Sequence, residues 1–254
     1  MIKVRDVWKR YGQLQVLKGL SLDIYDGETL VILGRSGVGK SVLLKQIIGL
    51  EVPDKGTIEV DGVKITELNQ RSGAHKDLKS MGMLFQGAAL FDSMNVEDNI
   101  AFYLYQHPNE FPKNEIKNRV DQALAMVGLE GTQKKLPSEL SGGMRKRAAL
   151  ARLIVYRPQI ILYDEPTTGL DPITSMQIND LINKTKEELK ATSIVVTHDI
   201  RSALEVSDRL AFHHDGKIQQ VAKTKEFFQI DDPLIKEFFS NAIIDKTEYE
   251  KYKN

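Results

Sequence analysis

The order of apolar and polar positions predicts short strands near the beginning of the chain. The segment from Ile2 to Trp8 carries apolar side chains among charged ones, and Val16 to Ile24 alternates apolar and polar residues in its second half. Glu28 to Leu33 ends in four consecutive apolar residues after a polar lead-in, which is typical of a buried strand. After a glycine-rich segment, Val42 to Ile48 has the apolar spacing of a helix. The pattern therefore predicts a strand, a loop and a helix in immediate succession.

The middle of the chain changes to a helical period. From Val96 to Tyr156 the strand pattern disappears, and apolar residues recur at helical spacing. One predicted helix face consists of Ile116, Val120, Leu124 and Val127. Strand patterns return at Gln159 to Asp164 and at Ser193 to Thr197. The chain is therefore predicted to have an α/β fold with a helical insertion at about 87–157.

The glycine-rich segment before the first helix matches the phosphate-binding pattern G-x-x-x-x-G-K-[ST]. Its glycines allow the backbone to curl so that successive N–H groups converge on one point, at the positive end of the following helix. Lys40 is predicted to reach the β- and γ-phosphates of a nucleotide, and the Ser41 hydroxyl to bind Mg²⁺. This phosphate loop consists of Gly34, Arg35, Ser36, Gly37, Val38, Gly39, Lys40 and Ser41.

Composition narrows the class of protein. The 254 residues contain 35 Lys and Arg against 35 Asp and Glu, so no global positive field attracts nucleic acid. The absence of cysteine excludes disulfides and thiolate metal sites. Charges interleave the N-terminus, and no apolar run approaches the ~18 residues of a membrane-spanning helix. We expect a protein of the reducing cytosol that contacts a membrane only through a partner.

Two side chains outside the phosphate loop are placed where a nucleotide could contact them. Tyr11 lies in a predicted turn from Arg10 to Gln13, where its ring could stack on a purine. Gln86 follows a predicted buried strand from Met81 to Phe85, and the carboxyl ends of strands form the ligand-binding edge of open α/β sheets. A tyrosine in a turn or a polar strand cap needs no ligand, so both assignments are hypotheses.

Two adjacent carboxylates stand at the carboxyl end of a predicted core strand, where charge is costly unless a cation or a reaction requires it. Asp164 is predicted to be a second Mg²⁺ ligand. Glu165, directed the other way by strand alternation, is predicted to orient or deprotonate water. His198 follows the strand that ends at Thr197 and is predicted to contact a γ-phosphate or the attacking water.

A second glycine pair opens a predicted helix. Ser141 is a favourable N-cap residue, and Gly142 and Gly143 leave backbone N–H groups open to an anion. The same three residues also suit a flexible helix cap that binds nothing. The residues alone leave both interpretations open.

The order of these motifs resembles the ATP-binding cassette (ABC) ATPases of membrane transporters, from Ile2 to about Gln219. The phosphate loop resembles the Walker A loop, and Ile160 to Glu165 resembles the Walker B strand. The other matches are Tyr11 (adenine-stacking aromatic), Gln86 (Q-loop), Leu140 to Met144 (signature), Gly169 to Asp171 (D-loop) and His198 (switch histidine). The resemblance implies a P-loop NTPase with a RecA-like core, an N-terminal antiparallel β subdomain and an inserted α-helical subdomain.

The resemblance also implies a mechanism with ATP and Mg²⁺. Two copies of the chain would pair head to tail, so that Ser141 and the following glycine amides of one copy close over the γ-phosphate held by Lys40 of the other. Gln86 would bind Mg²⁺ and link the site to a transmembrane partner. Glu165 would polarise the attacking water, and His198 would position it.

One signature position departs from the family pattern. Met144 stands where glutamine is usual and cannot donate the same hydrogen bonds, although the Ser141 and backbone contacts remain. Met144 with Arg145, together with 85–96, is similar to the MlaF-type ATPase subunits of bacterial Mla/Mce phospholipid transporters. This similarity implies an MlaE-like permease, a Mce-type lipid-binding protein and a small regulatory subunit as partners. It implies a location at the cytoplasmic face of the inner membrane and a role in outer-membrane lipid homeostasis.

Other uses of the same motifs stay open. The ATPase of an amino-acid or other small-solute importer would share every catalytic motif. A nucleic-acid clamp is disfavoured by the neutral charge, whereas an ATP-dependent regulatory scaffold is a further alternative. Residues 1–230 are predicted to form a single ATPase domain, and 231–254 an extension that is helical and then mobile. A polar surface segment is predicted from Asn69 to Lys79.

Overall fold

The computed structural model describes residues 1–68, 81–227 and 229–241. The chain divides into two compact units. The first unit contains the described residues up to 68 and those from Thr192 onward, and the second unit contains 81–191. Within the described ranges, no helix is both long enough and apolar enough to cross a membrane. The polar segment predicted at Asn69 to Lys79 and the tail predicted from Asp245 lie outside the described residues.

Strands and helices alternate along most of the described chain. The strands are β1 (Ile2–Tyr11), β2 (Leu14–Ile24), β3 (Thr29–Leu33), β4 (Lys55–Val60), β5 (Val63–Lys64), β6 (Met81–Leu84), β7 (Ile160–Asp164), β8 (Thr192–Thr197), β9 (Arg209–His214) and β10 (Lys217–Lys223). The helices are α1 (Lys40–Ile47), α2 (Ile65–Leu68), α3 (Val96–Gln106), α4 (Lys113–Met126), α5 (Gly142–Ile154), α6 (Pro172–Leu189), α7 (Ile200–Val206), α8 (Thr224–Phe227) and α9 (Pro233–Asn241). A 3₁₀ helix spans Pro137–Glu139.

The N-terminal strands form an antiparallel sheet in the order β2-β1-β4-β5. Ile2 pairs with both Ile24 and Val60, so that apolar residues from three strands lie side by side. Ile2 and Ile24 are fully buried and Val60 is nearly so, which gives this sheet one buried apolar face. The predicted N-terminal antiparallel strands are therefore confirmed.

The first hairpin is tighter than the sequence suggested. Tyr11 is the last residue of β1 and pairs with Leu14, so the predicted loop position of Tyr11 is wrong. The turn consists of two residues, Gly12 and Gln13, and Gly12 adopts a φ of 57°. A two-residue turn requires a residue that tolerates positive φ, which glycine does without a steric penalty.

β3 is the central strand of the first unit's parallel group. In that unit the strand order is β10-β9-β3-β8, and all five residues of β3 are buried. Leu33 lies opposite Thr197 of β8 and Phe212 of β9, so both neighbours support the strand up to its last residue. The predicted strand, loop and helix are confirmed, with α1 beginning at Lys40 rather than Val42.

The second unit combines two parallel strands with helices. β6 pairs with β7 from Met81 opposite Ile160 to Leu84 opposite Tyr163. Three helices, α3 to α5, occupy most of the predicted helical stretch. Its four predicted face positions, Ile116, Val120, Leu124 and Val127, are at most 4% exposed, which confirms the helical period.

Candidate nucleotide-binding site

The phosphate loop links the end of β3 to α1. Gly37 and Gly39 have φ values of 80° and 104°, a region that other residues adopt at a cost. A Cβ at Gly39 would lie 2.6 Å from Val16 Cγ1, and a Cβ at Gly34 would collide with the carbonyl oxygen of His213. Both backbone freedom and close packing therefore require glycine in this loop.

Lys40 is buried at the start of α1, with 4% of its surface exposed. Its Nζ atom donates to the carbonyl oxygens of Gly34, at 2.8 Å, and Arg35, at 2.9 Å. An ammonium inside a protein needs acceptors, and here its own loop provides them. Phosphate oxygens would be stronger acceptors because they carry charge, so the ammonium is placed to exchange carbonyls for phosphates.

The remaining loop side chains differ in exposure. Arg35 and Ser36 are exposed and Val38 is half-buried, so the side chains of the outer turn are directed mainly toward solvent. Arg35 donates from Nη2 to Glu237 of α9 at 2.9 Å. Both side chains are more than half exposed, and such a surface ion pair contributes little to stability.

His198 directly follows a residue of β8 that contacts the phosphate loop. The Gly34 N–H donates to the carbonyl of Thr197, the last residue of β8, at 3.4 Å. His198 follows directly and is exposed. Asp199 then caps α7 by accepting from the Arg201 N–H at 3.0 Å. The last residue of β8 is therefore hydrogen-bonded to the first residue of the phosphate loop, and His198 comes next in the chain.

Tyr11 contacts two neighbours at the end of β1. Its hydroxyl donates to Glu51, just beyond α1, and the Lys9 ammonium lies 5.5 Å from the ring centroid. Burial, together with the Glu51 carboxylate and then Asp54, raises the pKa of Tyr11 to about 12. The hydroxyl therefore stays protonated as a donor at neutral pH, while 45% of the residue's surface remains exposed.

The carboxylate pair of the second unit stands at the end of a fully buried strand. Asp164 ends β7 with 6% exposure, and Glu165 follows with 7% exposure. Glu165 has a φ of 47°, outside strand geometry, so the predicted orientation by strand alternation does not hold. Its Oε2 accepts from Thr168 Oγ1 at 3.1 Å instead.

The signature segment and the D-loop residue both begin helices. Ser141 is the N-cap of α5 and accepts from the Met144 N–H at 3.3 Å, as the cap interpretation predicted. A Cβ at Gly143 would collide with Thr174 of α6, whereas Gly142 is exposed. Asp171 caps α6, and hydrogen bonds from Thr174 lower the pKa of the Asp171 carboxyl. Exposed backbone at the start of α5 leaves N–H groups for a ligand.

Lys146, which the sequence interpretation did not single out, connects two predicted site residues. It is 5% exposed, and its Nζ donates to the carbonyl oxygens of Gln86 and, at 3.4 Å, Glu165. Burial lowers the pKa of the Lys146 ammonium, and the carboxylates of Asp164 and Glu165 act in the opposite direction. A helical period through Ala149, Leu150 and Leu153, all buried, is the signal that would have placed Lys146 inside.

The comparisons with known proteins agree on one family. The sequence model described as ABC transporter matches residues 17–168. The chain is 40% identical over 96% of its length to the Arabidopsis thaliana protein Trigalactosyldiacylglycerol 3, chloroplastic, of which it covers 74%. It is 39% identical over 94% of its length to the intermembrane phospholipid transport system ATP-binding protein MlaF of Haemophilus influenzae, covering 89% of that protein. It is also 41% identical over 90% of its length to the methionine import ATP-binding protein MetN of Clostridium tetani, covering 71%.

A solved structure extends this similarity to three dimensions. The dimeric, post-hydrolysis structure of the ATP-binding cassette MJ0796 bound to ADP and Pi has a TM-score of 0.77 and 31% identity. The match covers 88% of this chain and 98% of the other. The chain therefore belongs to the ABC transporter family of ATP-binding cassettes. It is an ATPase with a P-loop NTPase fold that uses ATP with Mg²⁺.

Proposed function

We propose that the chain is the ATP-hydrolysing subunit of a phospholipid transporter and acts as a head-to-tail pair beneath a membrane permease. The buried Lys40 ammonium carries the nucleotide part of this proposal, because its two loop acceptors are ones that phosphate oxygens can replace. The other phosphate-loop residues surround the phosphates through backbone N–H groups. Tyr11 supplies a ring for the adenine base.

Glu165 and His198 are the groups proposed for hydrolysis. Glu165 accepts the proton of the water that attacks the γ-phosphorus, and His198 of the first unit holds that water and the γ-phosphate. A carboxylate as buried as Asp164 suits a cation site, and Ser41, Gln86 and Asp164 are the oxygen donors that would hold Mg²⁺. When bound, Mg²⁺ neutralises charge on the β- and γ-phosphates.

A second copy of the chain would complete each site through its signature. Ser141 and Gly142 at the exposed start of α5, and Gly143 after them, would donate to the γ-phosphate held by the other copy, with Met144 and Asp171 beside them. The similarity to a dimeric cassette structure supports this arrangement. Heterodimers test it: Ser141→Arg in one copy and Lys40→Ala in the other should retain one working site, about half of wild-type turnover. Loss of all activity would contradict head-to-tail pairing.

An apolar cavity beside Gln86 suits the permease. It has a volume of about 330 Å³ and includes the aromatic residues Phe85, Phe91, Phe102, Tyr103 and Tyr156, with Arg152 at its wall. The Arg152 guanidinium lies 5.4 Å from the Phe91 ring, and 40% of Phe91 is exposed. A short amphipathic permease segment with an apolar anchor and a carboxylate would fit both features. Its docking would contact the segment that begins at Gln86.

The phospholipid assignment rests on similarity. The signature variant at Met144 and the segment 85–96 are similar to MlaF-type subunits, and the MlaF relative covers nearly the whole chain. The proposal includes an MlaE-like permease, a Mce-type lipid-binding protein and a small regulatory subunit, at the cytoplasmic face of the inner membrane. Purification of the intact complex followed by lipid mass spectrometry tests it, and enrichment of phospholipid over the surrounding membrane is expected.

Small-solute import is the second candidate, because the MetN relative is equally similar. An importer of this kind would show ATPase activity that rises with a solute and its binding protein. Solute-stimulated turnover together with no enrichment of phospholipid would replace the first proposal with this one. The ATPase mechanism would be unaffected.

A further inference from the structure

A buried lysine of α5 is unassigned by the site described so far. Lys40 and Lys146 are both at most 5% exposed, and Lys40 belongs to the phosphate loop. Lys146 lies five residues after the signature serine, on the second turn of α5. Burial of an ammonium is costly unless acceptors surround it, so the fold must gain something from its position.

Lys146 connects two backbone segments that are far apart in sequence. Its ammonium donates to the carbonyl of Gln86, 60 residues away, and to the carbonyl of Glu165, 19 residues away. The distance to the Glu165 oxygen is 3.4 Å. A single compact ammonium with three donors can bridge two carbonyls in this way, which neither methionine nor leucine can do.

The segments that Lys146 holds are irregular. Glu165 follows β7 with a left-handed φ of 47°, and its carbonyl also accepts from the Thr168 N–H at 3.3 Å. Near Gln86, Ala88 has a φ of 64°. The Ala88 carbonyl accepts from Arg152 of α5, the helix that carries Lys146, at 3.3 Å. Backbone in such sparsely populated conformations persists only when the surrounding structure holds it in place.

We propose that Lys146 is a positioning residue for hydrolysis, which fixes the backbone of Glu165 and so the direction of its carboxylate. This inference rests on the proposed role of Glu165. The lysine also ties the Gln86 backbone to the same point. Because α5 begins at the signature, the helix that would engage the γ-phosphate held by the other copy also holds the group that would activate water in its own copy.

The experiment compares purified full-length variants in steady-state ATP hydrolysis. Lys146→Met nearly keeps the length of the side chain and removes every hydrogen-bond donor. We expect kcat to fall about 10- to 100-fold, because small misplacements of a catalytic group cost that much. Both KM and ATP affinity should change less than about twofold, since the phosphate loop is untouched. Lys146→Arg, which keeps the charge and donors, should recover part of the rate. The matched control is Lys184→Met, at a half-exposed lysine of α6, which should leave kcat unchanged.

A double-mutant cycle distinguishes positioning from general damage. In a Glu165→Gln background, Lys146→Met should alter the residual single-turnover rate by less than about twofold, because the group it positions is already gone. Independent effects that multiply would overturn the proposal, as would wild-type kcat in Lys146→Met. Equal losses of ATP affinity and kcat would show a structural role only. Wild-type turnover in Glu165→Gln alone would instead refute the proposed role of Glu165.

Discussion

The two buried lysines of the described chain stabilise different kinds of structure. Lys40 donates to two carbonyls five and six residues before it, within one loop. Lys146 donates to two carbonyls that are 60 and 19 residues away, in separate segments. Breaking the Lys40 contacts frees one local loop, whereas breaking the Lys146 contacts releases two irregular segments.

This difference separates binding from turnover. An ammonium that donates to carbonyls of its own loop can exchange them for phosphate oxygens at little cost when a nucleotide binds. An ammonium that joins distant segments cannot leave without giving up a hydrogen bond to each of them. We therefore expect changes at Lys40 to act mainly on nucleotide affinity, and changes around Lys146 and Glu165 to act mainly on kcat.

Glu165→Gln should give the largest effect. Removal of a general base costs about 10²- to 10⁴-fold in rate, while the amide keeps the size of the side chain. ATP affinity should stay within about threefold of wild type, because Glu165 is not predicted to bind phosphate. Single-turnover hydrolysis and equilibrium binding of ATP measure the two quantities, with Glu139→Gln as an exposed carboxylate control. Equal losses in both would break the separation of binding from turnover.

Lys40→Ala should act mainly on ATP affinity. Hydrogen bonds to charged groups contribute about 1.5–3 kcal/mol each, so loss of two phosphate contacts should weaken ATP binding by about 10²- to 10⁴-fold. Titration with a fluorescent ATP analogue measures this affinity, and Lys45→Ala on the same helix is the matched control. Unchanged affinity in Lys40→Ala would refute the exchange of carbonyls for phosphates.

Tyr11→Ala should give a smaller effect that depends on the base. Stacking contributes about 1–3 kcal/mol, which predicts roughly 10-fold weaker ATP binding with kcat unchanged. Binding of inorganic tripolyphosphate, which has no base, should not change. Tyr25 offers a matched control, since it is 48% exposed and has Arg209 4.7 Å from its ring. If tripolyphosphate binding falls as well, Tyr11 supports the fold rather than the base.

The smallest expected effect concerns stability in acid. His213 is 1% exposed, and neither ring nitrogen has a hydrogen-bond partner among the described residues. Burial, followed by the charge of Lys40, lowers the pKa of His213 to about 4, from 6.5. Between these values the unfolded chain binds more protons, so the free energy of unfolding should fall as pH drops from about 6.5 to about 4, by at most ~3 kcal/mol.

His213→Met should remove that loss. Urea denaturation at several pH values measures it, with His107→Asn in the second unit as the control. Identical pH profiles for wild type and His213→Met would show that the buried imidazole is not responsible.

The sequence predicted the parts of the fold that depend on local pattern. The buried strand before the phosphate loop and the N-cap at Ser141 both follow from short-range preferences, and both are confirmed. The pattern predicts a turn from Arg10 to Gln13 between two strands, but strand pairing extends to Tyr11 and leaves a two-residue turn. Pairing between strands is a tertiary effect that composition does not reveal.

Two features of the candidate site depend on contacts that no motif encodes. Strand alternation fails at Glu165 because its backbone turns left-handed directly after β7. Lys146 stands in a basic run with Arg145 and Arg147, which by composition is typical of a solvated surface. The helical period through Ala149, Leu150 and Leu153 distinguishes this lysine as buried, but its contacts with the Gln86 and Glu165 backbones appear only in the packing of α5.

The first unit is built from two separate stretches of the chain, and this has a consequence for biosynthesis. The two neighbours of β3 in the sheet are β8 and β9, and both follow the second unit in sequence. A ribosome therefore completes the whole second unit, a continuous stretch, before either neighbour of β3 exists. Since nascent chains fold as compact units in order of synthesis, the strand that carries the phosphate loop waits unpaired until synthesis is nearly finished. A truncated chain that ends before β8 would contain the entire Walker A sequence but lack both strands that support it.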